Sequence, residues 1–173
     1  MSIFRRLFGD TADRGTLLPL YAAIVAEARQ PTWYRAGKVP DTVDGRFDMI
    51  AVILSLVLIR LEAFGQPGRA AGALLTESFI ADMDGQLREL GLGDVVVGKN
   101  VGKMMGALGG RLDAYRQPIA GTGFEAAIVR NLYRDAPPPA DALAATLDRL
   151  RRFDAALGRS AEADLMAGKL PTP

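Results

Sequence analysis

Among its 173 residues the chain has no cysteine and no histidine. The first absence excludes disulfides, thiolate metal sites and thiol nucleophiles. The second removes the commonest general base and the commonest transition-metal ligand. Proton transfer would rest on Asp, Glu, Lys, Tyr, Ser and Thr alone, which argues against an enzyme. A cysteine-free chain also fits a reducing compartment. An excess of either charge is missing too: 21 basic residues face 20 acidic ones. No global field draws such a chain onto nucleic acid or an anionic membrane, although local patches stay open. Long hydrophobic runs are absent as well. The most apolar stretch, Met49 to Ile59, is closed by Arg60 and falls short of the about 20 residues that a spanning helix needs. The start, Met1 to Phe8, has neither an apolar signal core nor a small-residue cleavage site, so it does not read as a signal peptide.

What is present is alanine, leucine and helical spacing, in a chain long enough for one domain with a real core. Leu17, Tyr21, Ile24, Val25 and Ala28 recur at steps of three and four, which predicts a helix from about Arg14 to Gln30, ended by Pro31. Thr32 to Val43 reads as a loop with two large aromatics, Trp33 and Tyr34. Asp44 is placed to cap the next helix, Gly45 to about Phe64, which is apolar almost all round and belongs at the centre. Gly65, Pro67 and Gly68 break the chain. Leu75, Phe79, Met83, Leu87 and Leu90 predict a third helix over about Arg69–Leu90. Leu92 to Gly98 reads as a linker in which Val95–Val97 form an isolated extended piece. A fourth helix follows from about Lys99 to Arg116, with Met104, Met105, Leu108 and Tyr115 in its stripe. A fifth starts at Thr122 with Glu125 completing a capping box. Pro137–Pro139 is a stiff connector. Beyond it Leu143, Leu147, Leu150, Phe153 and Leu157 mark a sixth helix, Ser160 is placed to cap a last short one, and the end from Gly168 reads as frayed. The expectation is an all-α domain of six to seven helices around Gly45–Phe64. A core over residues 1–136 carries a C-terminal extension over 137–173, packed on the same domain.

Several constellations bear on chemistry. Asp41, Asp44 and Asp48 gather at one helix start. Asp44 and Asp48 share a face, as carboxylates must to grip a divalent cation. The blander account has Asp44 capping, Asp48 favouring the positive helix end, and Arg46 neutralising either. Asp82 and Asp84 lie two apart, so they point about 200° away from each other and suit a solvated face better than a metal. Lys99 and Lys103, with Arg111 beyond, make a small basic strip. Gly98-Lys-Asn-Val-Gly-Lys103 lacks phosphate-loop spacing because Met104 follows the second lysine. Gly98, Gly102, Gly106 and Gly110 recur every four residues. Each interior helical glycine costs about 1 kcal/mol against alanine, so a close helix approach should offset it. An internal crossing with Gly45–Phe64 is one way to do so. A groove for a partner's helix, lined by adaptable methionines, is the other. Finally, Ile3, Phe4, Leu7 and Phe8 beside Arg5 and Arg6 make a short piece that is either a docked or frayed terminus or a weak membrane-surface contact.

Several phrases, taken in order, resemble one family. They are Tyr21-x-x-Ile-Val-Ala-x-Ala-Arg29, Val39-Pro-Asp-Thr-Val-Asp-Gly-Arg-Phe-Asp48, Arg60-Leu61, Phe79-x-x-Asp-Met-Asp84, Leu87-Arg-Glu-Leu-Gly-Leu-Gly-Asp94 and Val97-Gly-Lys99. Their order and spacing resemble the ubiquinol–cytochrome c chaperones over about Leu17 to Tyr115. The chain departs from that pattern at Leu108-Gly-Gly-Arg111, where members often carry an aromatic before the glycine, and at Asn100, Val101 and Gly102, where basic residues are common. No family phrase is seen after Pro118.

The resemblance implies a chaperone that binds cytochrome b or other bc1 subunits during complex III assembly. It would have no catalysis, no cofactor and no metal, and no nucleic-acid partner. A companion assembly factor, peripheral contact with the inner membrane from the cytoplasmic or matrix side, and a homodimer all stay open. The expected partner surface combines Trp33, Tyr34, Asp41, Asp44, Arg46 and Asp48 with Asp82 and Asp84 and with Lys99, Lys103 and Arg111. The competing readings are a small-ligand or metal binder using Asp44 and Asp48, and a homo-oligomeric scaffold.

Overall fold

The computed structural model describes residues 11–89, 94–117, 119 and 121–173, with side chains at 11–14, 87–89, 94–101, 103 and 104 outside the description. Its helices are α1 (Thr11–Ala28), α2 (Pro31–Arg35), α3 (Val43–Glu62), α4 (Gln66–Glu89), α5 (Asp94–Tyr115), α6 (Thr122–Leu132), α7 (Ala140–Arg159) and α8 (Glu162–Met166). Among the described residues there is no strand. The protein is all-α, a single domain built around α3. Every residue from Asp48 to Leu58 is buried, and α1, α4, α5, α6 and α7 pack around that rod. An all-round apolar helix has no solvent face, so it must be enclosed.

The helix ends differ from expectation in informative ways. Thr42, and not Asp44, caps α3: its Oγ1 accepts the Gly45 amide at 3.1 Å. Asp44 falls in the first turn, where its charge is free for another partner. Gly45 is required by packing, because a Cβ there would lie 2.0 Å from the Pro40 carbonyl oxygen. The stretch after Pro31 is not all loop. Proline opens the short α2, since its missing N–H is one that a first turn never uses. Pro67 likewise sits in the first turn of α4 rather than in a break. Val95–Val97 are helical within α5 and not extended; with no neighbouring strand to pair with, β-branched residues follow the helix. α6 has Gly121 at its N-cap with no side-chain bond, so the Thr122–Glu125 capping box does not form. Ser160 ends α7 instead of capping α8, and its hydroxyl donates to the Ala156 carbonyl.

The C-terminal end is also packed rather than frayed. Leu165 is fully buried and Leu170 lies against the core. Gly168, at φ 79°, sits where a Cβ would come within 2.7 Å of Pro19 in α1. Further up, the Arg60 guanidinium at the end of α3 donates to the Ser160 carbonyl at 2.8 Å and lies over the Phe64 ring at 4.4 Å. Phe153 and Leu157 of α7 belong to the same apolar cluster as α3.

Candidate functional site

Asp48 has no exposed surface, and two arginines from distant parts of the chain close on it. Arg111 of α5 donates to one carboxylate oxygen at 2.6 Å, and Arg134, just after α6, donates to the other at 2.7 Å. Arg134 reaches on to Asp44, one turn earlier on the same face of α3, at 2.8 Å. Burial pushes the Asp48 carboxyl up from its usual value, while Arg134 and Arg111 oppose that shift by holding it ionised. Arg134 is itself raised, chiefly by its hydrogen bond to Asp48. Arg134 and Asp135 both adopt left-handed backbone, at φ 53° and 60°. Such a conformation costs a non-glycine residue about 1 kcal/mol or more, and the two carboxylates of α3 offset it. The Arg111 guanidinium also lies 5.5 Å from the Phe47 ring centroid, which packs on Phe79 of α4. The knot therefore ties α3, α5, α6 and, through Phe47, α4.

This arrangement answers the cation reading. Both oxygens of Asp48 are taken by guanidinium groups, so a divalent ion would have to displace two cations that the same carboxylate already holds. Among the described residues no group of three His, Cys, Asp or Glu could hold a metal. Arg46, expected to neutralise Asp44 or Asp48, instead pairs with Asp41 at 2.7 Å on the open surface.

The other expected surface residues divide. Trp33 is buried, not presented: its indole N–H donates to the Glu27 backbone and carboxylate at 3.0 and 3.2 Å. Arg149 of α7 pairs with the same carboxylate at 3.0 Å and lies 4.7 Å over the indole. Tyr34, half-buried, donates to the Ala28 carbonyl at 2.8 Å. These two aromatics fasten the corner between α1 and α2. Asp82 and Asp84 are both half-buried on α4. Asp82 accepts the Tyr21 hydroxyl at 2.7 Å and the Gln86 amide at 3.1 Å. Burial and that bond to Asp82 push the Tyr21 phenol well up. The side chains of Lys99 and Lys103 lie outside the described residues, as do Met1–Phe8 and Gly91.

Two surfaces remain open. Among the described residues the glycine ridge does not cross α3. Gly102, Gly106 and Gly110 are exposed, and a Cβ at any of them would meet nothing within 4 Å. α5 packs inward through Leu108 and Tyr115 instead. Met105, expected in that inward stripe, is 42 % exposed beside the glycines. The second surface is a groove of about 730 Å³ between α1 and α4, lined by Leu18, Ala22, Val25, Ala26 and Arg29 on one side and Ser78, Ala81 and Asp82 on the other. Sequence reasoning missed Arg134, Glu27 and Arg149 because nothing in local spacing links them to residues far along the chain. It missed the groove although the signal was there: Leu18, Ala22 and Ala26 form an apolar row outside the stripe that α1 buries.

Fold and surfaces together define an all-α domain stitched by buried ion pairs, whose open apolar features are helix faces. The chain belongs to the ubiquinol-cytochrome C chaperone family, whose model matches residues 35–172. A crystal structure described as the Cbp3 homolog from Brucella abortus superposes with a TM-score of 0.80 at 29 % identity, covering 99 % of this chain and 94 % of that one. Comparison with curated proteins gave no match. The family match runs past the proline connector, where no motif had been seen, and begins after α1.

Proposed function

We propose that this chain is an assembly chaperone that binds cytochrome b or another bc1 subunit during complex III biogenesis, without catalysis. Family membership is the observation that carries the reading, and the Brucella structure supports it with a likeness over nearly the whole of both chains. The physical picture agrees. A chaperone for a membrane protein must cover apolar helices before they are packed, which calls for apolar surface on a stable frame and no proton-transfer group. Here the frame is α3 with its Asp48 knot, and apolar surface is left open beside it. Among the described residues no helix is long and apolar enough to cross a membrane. The chaperone would meet its client at the cytoplasmic face of the inner membrane, or the matrix face in a mitochondrion, where new bc1 subunits are assembled.

The test is a pull-down of the tagged chain from solubilised native membranes, paired with the bc1 content of cells that lack it. Co-purification of cytochrome b and loss of assembled bc1 are expected. Normal bc1 content with no co-purifying subunit would refute the reading.

A further inference from the structure

α1 is apolar on two faces, and among the described residues the fold covers only one. Leu17, Leu20, Tyr21, Ile24 and Ala28 point inward and are buried. Leu18, Ala22 and Ala26 point outward and are exposed, with Leu18 at 54 %. A helix that is apolar all round is normally enclosed on all sides. Its neighbour α4 supplies the opposite wall with the exposed Ala81 and with Ser78 and Asp82.

We infer that the α1–α4 groove is the client-binding site of the proposed chaperone, and that its occupant is an apolar helix carrying a carboxylate near the end that meets Arg29. The inference rests on the chaperone reading for the source of the helix, while the chemistry of the groove is argued from its walls.

Length comes first. From Gly15 to Arg29 the groove follows α1 for roughly 21 Å at 1.5 Å per residue, about four helical turns and open along its side. A compact small molecule would leave most of it wet. The walls then select the backbone form. Both are helices whose main-chain groups are bonded internally, save the Gly15 carbonyl that Pro19 leaves without its donor, so an extended peptide would find no ladder to pair with and would leave its own amides unpaired. A helix satisfies its backbone alone. The small side chains of Ala22, Ala26 and Ala81 let it approach closely, as between packed helices in membranes.

The polar groups in the groove are already engaged. Tyr21 donates to Asp82, and the Ser78 hydroxyl donates to the Leu74 carbonyl at 3.0 Å. They ask nothing of the occupant, which suits an apolar one. The exception is Arg29, exposed at the end of α1, which makes no ion pair among the described residues. Asp82 has no cationic partner there either, but Tyr21 and Gln86 occupy its two carboxylate oxygens, whereas the exposed Arg29 guanidinium is left for a carboxylate to complement.

The test uses the full chain and two labelled alanine–leucine helical peptides of about 20 residues, one with a terminal glutamate and one with lysine in its place, followed by fluorescence anisotropy in mild detergent. The glutamate peptide should bind a few-fold more tightly, in line with an exposed ion pair. Arg29→Glu should reverse that order, and Ala26→Trp, which fills the groove from an exposed position, should abolish binding of both with the circular dichroism melt unchanged. Capture of newly made cytochrome b is measured in parallel for the same variants. Loss of capture in Ala26→Trp supports the site. Capture equal to that of the unmodified chain overturns the groove while leaving the chaperone reading intact. Peptide binding by the unmodified chain without any capture of cytochrome b overturns the chaperone reading, and with it the assignment of the client.

Discussion

α3 and α1 are written in the same residues and treated differently. Both are apolar nearly all round. α3 is buried without interruption from Asp48 to Leu58, whereas α1 buries one face and leaves Leu18, Ala22 and Ala26 outside. The carboxylates packed against them differ in the same sense. Asp48 is fully enclosed and held by two arginines from far along the chain. Asp82 is half-buried and held by a tyrosine and a glutamine at the floor of an open groove. All-round apolarity thus states a demand for cover. The fold meets that demand completely at α3 and only halfway at α1, and the unmet half is where a partner gains most.

The contrast can be broken most severely at the centre of α3. Ile53 is fully buried, and Ile53→Ala should cost about 4 kcal/mol, combining lost transfer energy with a cavity; urea unfolding measures it, and a loss below about 1 kcal/mol would mean α3 is not the closed core described. Asp48→Ala comes next. It strands Arg111, which is only 13 % exposed, and removes one partner of the half-exposed Arg134. Removing one member of a buried pair costs about 3–5 kcal/mol, and the water around Arg134 places the expectation at the lower end.

A smaller effect separates surface charge from buried charge. Arg116 holds Glu62 in two hydrogen bonds at 2.5 and 2.6 Å and keeps its carboxyl below the usual 4.5. A depressed carboxylate contributes stability above its ordinary value and loses it as pH falls through the lowered one. Both side chains are more than a third exposed, so Glu62→Gln should cost under about 1 kcal/mol at neutral pH. Its stability curve should meet that of the unmodified chain on acidification. A gap that persists in acid would show that the pair is not the cause. The smallest effect sharpens the comparison: Leu18→Ala on the open face of α1 should change stability by no more than about 0.5 kcal/mol, against the large loss at Ile53, while weakening client capture. A large destabilisation would show that Leu18 is structural.

Helices were legible because their apolar spacing is local. The Leu147, Leu150, Phe153 and Leu157 stripe of α7 is buried as its period requires. Ends were harder to read, since a cap is decided by one backbone bond among several eligible side chains, as Thr42 over Asp44 shows. The valines at 95–97 misled because propensity alone, without a partner strand, does not make an extended segment. Charged residues were least legible. Asp48 stood out by its neighbours, but Arg134 lies 86 residues away. Loop composition around Trp33 suggests a surface position, yet Glu27 and Arg149 draw it inside. The cost of the α5 glycines calls for a close helix, either α3 or a partner's, and spacing alone does not choose between them; the described part of that ridge faces open space and so does not cross α3.

The central claim is that the uncovered half of α1 is where the client binds. Because the chain has no cysteine, one can be placed at Ala26 in the groove and, as a control, at the exposed Ala144 on the outside of α7, each carrying a short photo-crosslinker during synthesis of cytochrome b. The account predicts a cross-link to cytochrome b from position 26 and none from position 144. Cross-links from both positions alike, or from 144 alone, would contradict it.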